Sequence, residues 1–460
     1  MKTSFEKKLN YISNFIIKLI ITLNFLILSY VIYKDKIFYN DNEAFVNYYD
    51  AYYKIIIISI IVWLIILYFG KSLKPLIIIS SFSLIIGLYC VEIFLFSNIF
   101  QENKNKKRIN YDTRVTSEIL EEYKDYDPVS QLPPSHYLKY KHKNKNTIFP
   151  VGGISNKLTV FCNESGKWSI YRSDRHGFNN PDYVWDYESI DIIFSGDSFA
   201  HGACVDPDND IGENLRKLGK NTINLAYSGN GPLIQHASII EFTKKYKPKI
   251  VLWFFYEGND LSDLATSYSY EENIFKKYLS KNFSQNLANR QSEVDEVLKT
   301  FFKNEYMERI IYFDKKQKKL EEKGITNADD LWDYKKSLKL YKIREFFKLA
   351  KFSYPQSDYD RLQKILKIHK EYLDSNKIDL YFVYLPRFSY TIKYTDAFEK
   401  NKIIKLVQDL NINIIDIDKL VFKKHKDPLS LFPYRKKNHY NEEGYKLISE
   451  EISYYLDSPR

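Results

Sequence analysis

The sequence predicts an α/β domain, a parallel sheet between helical layers, preceded by three membrane-spanning helices. Two observations predict it. The first hundred of the 460 residues hold three long apolar runs, and from Asp191 to Leu456 short β-branched runs alternate with amphipathic helical stretches. A third observation places chemistry on that frame: the strand-like run Asp191–Phe194 leads directly into Gly196, Asp197 and Ser198. A serine at the C-terminal end of the first strand of such a pattern lies where open α/β sheets bind ligands, which makes Ser198 a nucleophile candidate.

The apolar runs are Ser13–Tyr33, Ile55–Phe69 and Leu76–Phe96, and a bilayer core asks for roughly 20 such residues per helix. Tyr52, Tyr53 and Lys54 extend the short second run with interfacial rings and a snorkelling ammonium. No small-residue cleavage site follows Tyr33, so the first run reads as an uncleaved anchor. Lys2, Lys7 and Lys8 precede the first span and Lys71 and Lys74 fill the second loop, while the first loop mixes Lys34 and Lys36 with Asp35, Asp41, Glu43 and Asp50. That balance favours a cytoplasmic N-terminus, and three crossings then put everything after Phe96 outside the cytoplasm. Lys104, Lys106, Lys107 and Arg108, just beyond the third span, run against the rule. Within the spans, Lys18 snorkels and Glu92 is read as structural.

Composition bounds the partners. A hydrophobic content of 45% supports a sizeable core. The net charge of +10 is spread as lysines among tyrosines and asparagines, with no Arg-rich stripe, and so describes a solvated surface with no nucleic-acid partner. Cys90 lies in an apolar run. Cys162 and Cys204 could pair if their domain is exported, although the sequence does not show that they meet.

Gln101–Lys145 is polar, contains Pro133-Pro134, and reads as a linker or stalk. The expected organisation is therefore an anchor over 1–100, a linker over 101–146 and a soluble domain over 147–460. Short strand-like runs at Leu158–Phe161 and Trp168–Tyr171, broken by Asn163–Gly166, open that domain. After Ser198, Asp210–Leu218 predicts a helix, Thr222–Leu225 a strand, Leu233–Lys245 a helix and Ile250–Tyr256 a strand. A Lys, Tyr and Phe-rich helical insertion over 262–350 interrupts the rhythm above the C-terminal edge of the sheet. The core resumes with Arg361–Leu373, Leu380–Leu385, Phe398–Leu410, Ile412–Ile417 and the closing helix Glu442–Leu456. Strands separated by helices pair in parallel through right-handed crossovers, giving a flavodoxin-like three-layer sandwich.

Three later stretches join the Gly196-Asp197-Ser198 block. Asn224-Leu225-Ala226-Tyr227-Ser228-Gly229-Asn230-Gly231-Pro232 follows the second core strand, Glu257-Gly258-Asn259-Asp260 follows the third, and Asn438-His439-Tyr440-Asn441-Glu442-Glu443-Gly444 precedes the last helix. Each alone is a turn or a helix cap. Together, in order and at the ends of core strands, the four blocks resemble the SGNH (GDSL-type) hydrolases, of the membrane-anchored bacterial type, over Ile193–Ile452. Ser173–Pro181 and Asn282–Gln291 also resemble a loop and an insertion of the membrane-anchored members.

The resemblance implies an ester-cleaving serine enzyme. Ser198 is the implied nucleophile and His439 the base; the backbone N–H groups of Ser198 and Gly229 and the side-chain amide of Asn259 are the implied oxyanion donors. One departure stands out, since the family has an aspartate three residues before the histidine and this chain has Lys436, so no third member is named. His176 has no partners spaced for a metal, and His201, His236, His369 and His425 are read as surface or packing residues. No cofactor and no metal are expected. The expected activity is that of a membrane-anchored esterase or O-acyltransferase acting on O-acyl, above all O-acetyl, groups of extracytoplasmic glycans at a bacterial cytoplasmic membrane. The alternatives are a lipid esterase at the bilayer and an inactive glycan-binding or export-assembly protein.

Overall fold

The computed structural model describes residues 4–38, 50–70, 73–104, 111–141, 148–269, 274–280, 282–322, 337–346, 354–388 and 398–458. Of the charges used to orient the anchor, Lys2, Asp41, Glu43, Lys71, Lys106, Lys107 and Arg108 lie outside them. The chain divides into two compact units, Met1–Lys106 with Ile325–Ser357, and Lys107–Gly324 with Asp358–Arg460.

In the first unit, Ser4–Tyr33, Asp50–Phe69 and Lys74–Lys104 are helices. Three stretches in them, Glu6–Lys36, Tyr52–Phe69 and Lys74–Leu95, are long and apolar enough to cross a membrane, with mean hydropathies of 2.3, 2.3 and 2.2. Ile17, Ile21 and Ile78 pack with Trp63 and Leu64 between them, while Phe25, Ile58, Ile65 and Leu84 are exposed, as a lipid-facing surface requires. Two charged side chains in and beside the bundle find partners. Lys74 Nζ donates to Asn14 Oδ1 at 2.8 Å and to the Leu67 carbonyl at 2.6 Å, and the fully buried Glu92 carboxylate accepts the backbone N–H groups of Lys342 and Ile343, each at 2.9 Å. Those two residues open the short helix Tyr341–Phe346, and Tyr89 donates its hydroxyl to the Leu338 carbonyl at 3.0 Å beside it. A carboxylate in an apolar segment is tolerable once its oxygens meet donors, which gives Glu92 its structural role.

The second unit contains two sheets. Strands β1 (Val129–Ser130), β2 (Leu158–Cys162) and β3 (Ser169–Arg172) form the smaller one, β1 parallel and β3 antiparallel to β2. The larger one holds β4 (Ile190–Ser195), β5 (Thr222–Asn224), β6 (Pro248–Tyr256), β7 (Asp379–Leu385) and β8 (Asn413–Asp416). Its order is β5-β4-β6-β7-β8 with every pair parallel, the flavodoxin-like arrangement that the alternation predicts. From β4 the chain first steps to β5 on one side and then returns to β6 on the other. The topological switch therefore falls at the C-terminal end of β4, where the crossovers diverge and leave a crevice.

Successive residues of a buried strand face opposite layers. Phe194, Leu252, Phe254, Val383 and Ile415 join Ile211, Leu215, Tyr445, Ile448 and Ile452, from helices Ile211–Lys217 and Glu442–Asp457, in one apolar cluster. Trp253 looks the other way, edge-on to His369 of helix Gln356–Ser375 with ring centroids 4.5 Å apart. His236, from helix Pro232–Thr243, meets His369 Nδ1 to Nδ1 at 2.8 Å on the same side.

Residues 111–141, expected as a linker, are packed into the second unit instead. Val115, Ile119, Leu120, Leu132, Tyr137 and Leu138 are buried there, and helix Thr116–Glu122 lies against helix Met307–Glu321, where Asp314 accepts the Ser117 N–H at 2.7 Å. Their apolar residues come in ones and twos among charged and polar residues, so composition alone reads as solvated. The insertion is also divided: its described residues up to 322 belong to the second unit and residues 337–346 to the first.

Candidate active site

The site is built on the switch point. Past Ser195 the backbone turns through Gly196, where an added Cβ would lie 2.6 Å from Ala200 Cβ and 2.9 Å from Phe254 Cβ, so only glycine lets the turn sit on β6. Asp197 then caps the short helix Ser198–His201 by accepting the Phe199 N–H at 2.9 Å. Ser198 is left at the first helical position, at the C-terminal end of β4.

His439 arrives from the other end of the sequence. Asn441 caps the closing helix by accepting the Gly444 N–H at 3.0 Å and donates its own N–H to the Leu431 carbonyl at 3.0 Å, which fixes the loop that carries the histidine. Its Nε2 lies 2.8 Å from Ser198 Oγ. Phe199 supports the ring, its centroid 4.5 Å away, and is itself stacked on Tyr256 at 3.6 Å.

A third side chain joins them: Glu164, in the turn between β2 and β3. One carboxylate oxygen accepts the His439 backbone N–H at 2.7 Å and the other lies 3.0 Å from Nδ1. A carboxylate on Nδ1 makes that nitrogen the donor and leaves Nε2 as the lone pair facing the hydroxyl. The turn is anchored on both sides: Asn163 accepts the Gly166 N–H at 2.8 Å and donates to the Asp112 carbonyl at 2.9 Å, and Tyr434 donates to the Ser165 carbonyl at 2.9 Å. Cys162 and Cys204, whose pairing the sequence leaves open, form a disulfide with Cα atoms 5.0 Å apart.

Sequence reasoning missed Glu164. It lies 275 positions from His439 in what reads as a plain break between two strands. The one signal was Cys162, two residues earlier, because a bond to Cys204 brings this turn beside the Ser198 turn.

The remaining site candidates lie on the two strands that flank β4. Gly229 follows β5 with a φ of +81°, a left-handed conformation, and its turn is tied to the nucleophile turn by two bonds. Tyr227 donates its N–H to the Gly196 carbonyl at 3.2 Å, and Ser228 donates its N–H to His201 Nδ1 at 3.1 Å. Asn259 follows β6, and its side-chain amide acts on the Asp197 carboxylate. His201, read from sequence as a surface or packing residue, is fully buried between Phe161, Tyr171 and Tyr227 and holds the Gly229 turn.

Burial, which favours neutral groups, sets the electrostatics. It lowers His201 to about 3, with His439 adding to the effect. It raises Asp197, whose charged form is favoured by the Phe199 N–H, His439 and Asn259. His439 moves the other way overall. Burial pulls it down, but the charge and hydrogen bond of Glu164, with Asp197 behind them, leave it above the ordinary imidazole value. Behind Asp197, Asp260 is pushed well up by burial and by its acidic neighbours, and Asp263 is pushed up to about 7 by burial and by Asp197.

Among the described residues, Glu164, Cys204 and His439 are the group spaced to hold a metal ion, their ligand atoms within 4.8 Å of one another. With the Cys204 sulfur bound to Cys162, that group offers two ligands, fewer than a protein zinc site uses. His176 is packed against Trp185 and Phe242, with Nε2 3.1 Å from the Tyr246 hydroxyl.

No protein-family model matches the chain. No curated protein matches it. Solved structures similar to it include a protein described as lipolytic and of the G-D-S-L family from Desulfitobacterium hafniense DCB-2, at 13% identity and a TM-score of 0.31, covering 58% of this chain and 99% of that one. A two-domain esterase active on acetylated mannans matches at 11% identity and a TM-score of 0.30 over 60% of this chain and 51% of its own. The psychrotrophic esterase EstA from Pseudoalteromonas sp. matches at 11% and 0.28 over 58% and 98%. At such scores these likenesses say nothing about substrate. The second unit has a flavodoxin-like strand order, and its four ordered sequence blocks, which resemble those of the SGNH (GDSL-type) hydrolases, lie at the ends of its strands and before its last helix.

Proposed function

We propose that the chain is a membrane-anchored serine esterase or O-acyltransferase that works through an acyl-serine intermediate. The observation that carries the reading is the continuous hydrogen-bond path from Ser198 Oγ to His439 Nε2 at 2.8 Å and from His439 Nδ1 to Glu164 at 3.0 Å. His439 takes the hydroxyl proton as Ser198 attacks the ester carbonyl, and Glu164 stabilises the imidazolium that forms. The carbonyl oxygen becomes an oxyanion, received by the backbone N–H groups of Ser198 and Gly229 and the side-chain amide of Asn259. Collapse expels the alcohol, which collects the proton from His439. Water or a sugar hydroxyl then attacks the acyl-serine by the same proton path in reverse.

The proposed substrate is an O-acyl, above all O-acetyl, ester of a glycan outside the cytoplasm. Three apolar helices support an anchor at the bilayer, and the lysine balance around them supports export of the second unit. A disulfide beside the site supports the same side of the membrane, because such bonds persist in oxidising compartments. With Lys436 in place of the usual aspartate, Glu164 supports the active reading over an inactive scaffold, by giving Nδ1 an acceptor from another loop.

The test is labelling of the full-length chain in detergent by a fluorophosphonate, together with turnover of an activated acetyl ester. Labelling lost in Ser198→Ala and turnover that falls steeply as the acyl chain lengthens are the expected results. A wild type that neither labels nor turns over overturns the enzyme reading, and a preference for long acyl chains replaces the glycan ester with a lipid.

A further inference from the structure

Resting on the hydrolase reading, we propose that the Cys162–Cys204 cystine is a positioning element of the catalytic site. It holds the turn carrying Glu164 against the turn carrying Ser198, so that the carboxylate, imidazole and hydroxyl line up only in the oxidised chain.

The covalent link joins the two turns by very short arms. Cys162 closes β2 two residues before Glu164, and Cys204 lies six residues after Ser198, with a left-handed φ of +63° where the chain leaves the nucleophile turn. The ladder between β2 and β3 slips after Val160 and ends with the pair Cys162 and Ser169. Glu164 therefore hangs beyond the last strand pairing, in a turn whose side chains are partly open to solvent. The Cys204 sulfur lies within 4.8 Å of a ligand atom of Glu164 and of one of His439, close beside the acid and imidazole pair. That sulfur is buried, whereas the Glu164 and His439 side chains keep 24% and 22% of their exposure. A cystine placed merely to staple the fold has no need to lie against the proton-transfer groups.

Reduction opens this arrangement. A dithiol gives up two electrons and two protons and closes to its own disulfide, the bond between the two sulfurs breaks, and two thiols replace it. Freed of the link, the Glu164 turn keeps the hydrogen bonds of Asn163, Ser165 and Gly166 but no covalent tie to the Ser198 turn, and the carboxylate moves relative to Nδ1. An ångström of misplacement in such a chain costs on the order of 10²-fold in rate. The charge acting on His439 also changes. The titratable groups that bear on it are Glu164 from the β2–β3 turn, Asp197 from the nucleophile turn and the neutral His201 behind them, and the first is the one whose distance depends on the cystine.

The experiment measures kcat/KM against pH for an activated acetyl ester, with the full-length chain in detergent. It compares oxidised wild type, wild type reduced by a dithiol, the double variant Cys162→Ala with Cys204→Ala, and Glu164→Gln, with Tm recorded in parallel. We expect the reduced and double-variant proteins to lose about 10²-fold in kcat and to shift their acid limb to lower pH, toward that of Glu164→Gln, with recovery on reoxidation of the wild type. A fall in Tm with unchanged kcat and acid limb overturns the proposal and leaves the cystine a staple. Should the double variant not fold, reversible reduction of folded wild type makes the same comparison. An inert oxidised wild type overturns the hydrolase reading, and this proposal with it; an active one indifferent to the cystine overturns this proposal alone.

Discussion

Glu164 holds His439 twice, one carboxylate oxygen 2.7 Å from its backbone N–H and the other 3.0 Å from its ring Nδ1. The first bond fixes where the histidine stands and the second fixes its tautomer. In the proposed mechanism an acid delivered by a separate loop takes the place of the aspartate three residues upstream in the pattern this chain departs from. Glu164→Gln keeps the shape but removes the charge, and its kcat is expected to fall about 10³ to 10⁴-fold. Steady-state kinetics at the pH optimum measure the loss.

The same contact sets the pH dependence. His439 must be neutral to accept the Ser198 proton, and its pKa is raised because the Glu164 charge favours the protonated form against the opposing pull of burial. Activity therefore fails as pH drops through this raised value. In Glu164→Gln the favouring charge is gone, so the acid limb of kcat/KM is expected to move to lower pH even as the plateau falls.

Gly229→Ala tests the proposed oxyanion role of its turn. At a φ of +81° an alanine is strained, and its Cβ would lie 3.0 Å from Pro133 Cβ and 3.1 Å from Ser135 Oγ. A left-handed alanine costs about 1–2 kcal/mol, and relief of that strain rotates the Gly229 N–H. A kcat lower by roughly 10-fold with little change in KM is the expected outcome, since each 1.4 kcal/mol is tenfold.

His201→Phe probes the second tie on that turn. Phenylalanine keeps the stacking on Tyr227, now 4.8 Å between centroids, but removes the acceptor of the Ser228 N–H. An unsatisfied buried donor costs about 1–3 kcal/mol. We expect kcat to fall while fluorophosphonate labelling of Ser198 persists, because the serine and histidine are untouched.

Asp263 predicts a pH-dependent stability. Burial and Asp197 raise its folded-state pKa to about 7 from 3.8. The folded chain therefore keeps a proton that the unfolded chain has released, and this group's contribution to stability declines as pH rises from about 4 to about 7. Asp263→Asn has no charge to bury. Its Tm relative to wild type is expected to rise between pH 5 and pH 8, read by thermal melts at both.

The sheet was legible because its strands are buried on both faces and so appear as continuous apolar runs, such as Ile250–Tyr256, separated by helices of ordinary length. The Ser198 and His439 blocks were legible for a different reason: turns and caps need particular residues, and Gly196, Asp197 and Asn441 supply them. Glu164 was not, because a carboxylate that acts through space leaves no local pattern. The packed helix Thr116–Glu122 was hidden likewise. Its Ile119 and Leu120 sit among four glutamates and lysines of their own neighbourhood, and only a partner helix from beyond residue 306 reveals which face is inside.

Glu92 has a practical bearing on how the molecule is handled. Its carboxylate receives the first N–H groups of a helix that lies some 250 positions further along, after the whole of β4, β5 and β6 has been made. The polypeptide leaves the first unit, builds β4, β5 and β6 of the larger sheet, and comes back to the first unit before finishing β7 and β8. A truncation at residue 111 therefore does more than shed a tether: it strands an interior stretch whose Lys342 and Ile343 amide donors lose the Glu92 carboxylate, and a detergent micelle holding the anchor keeps that contact.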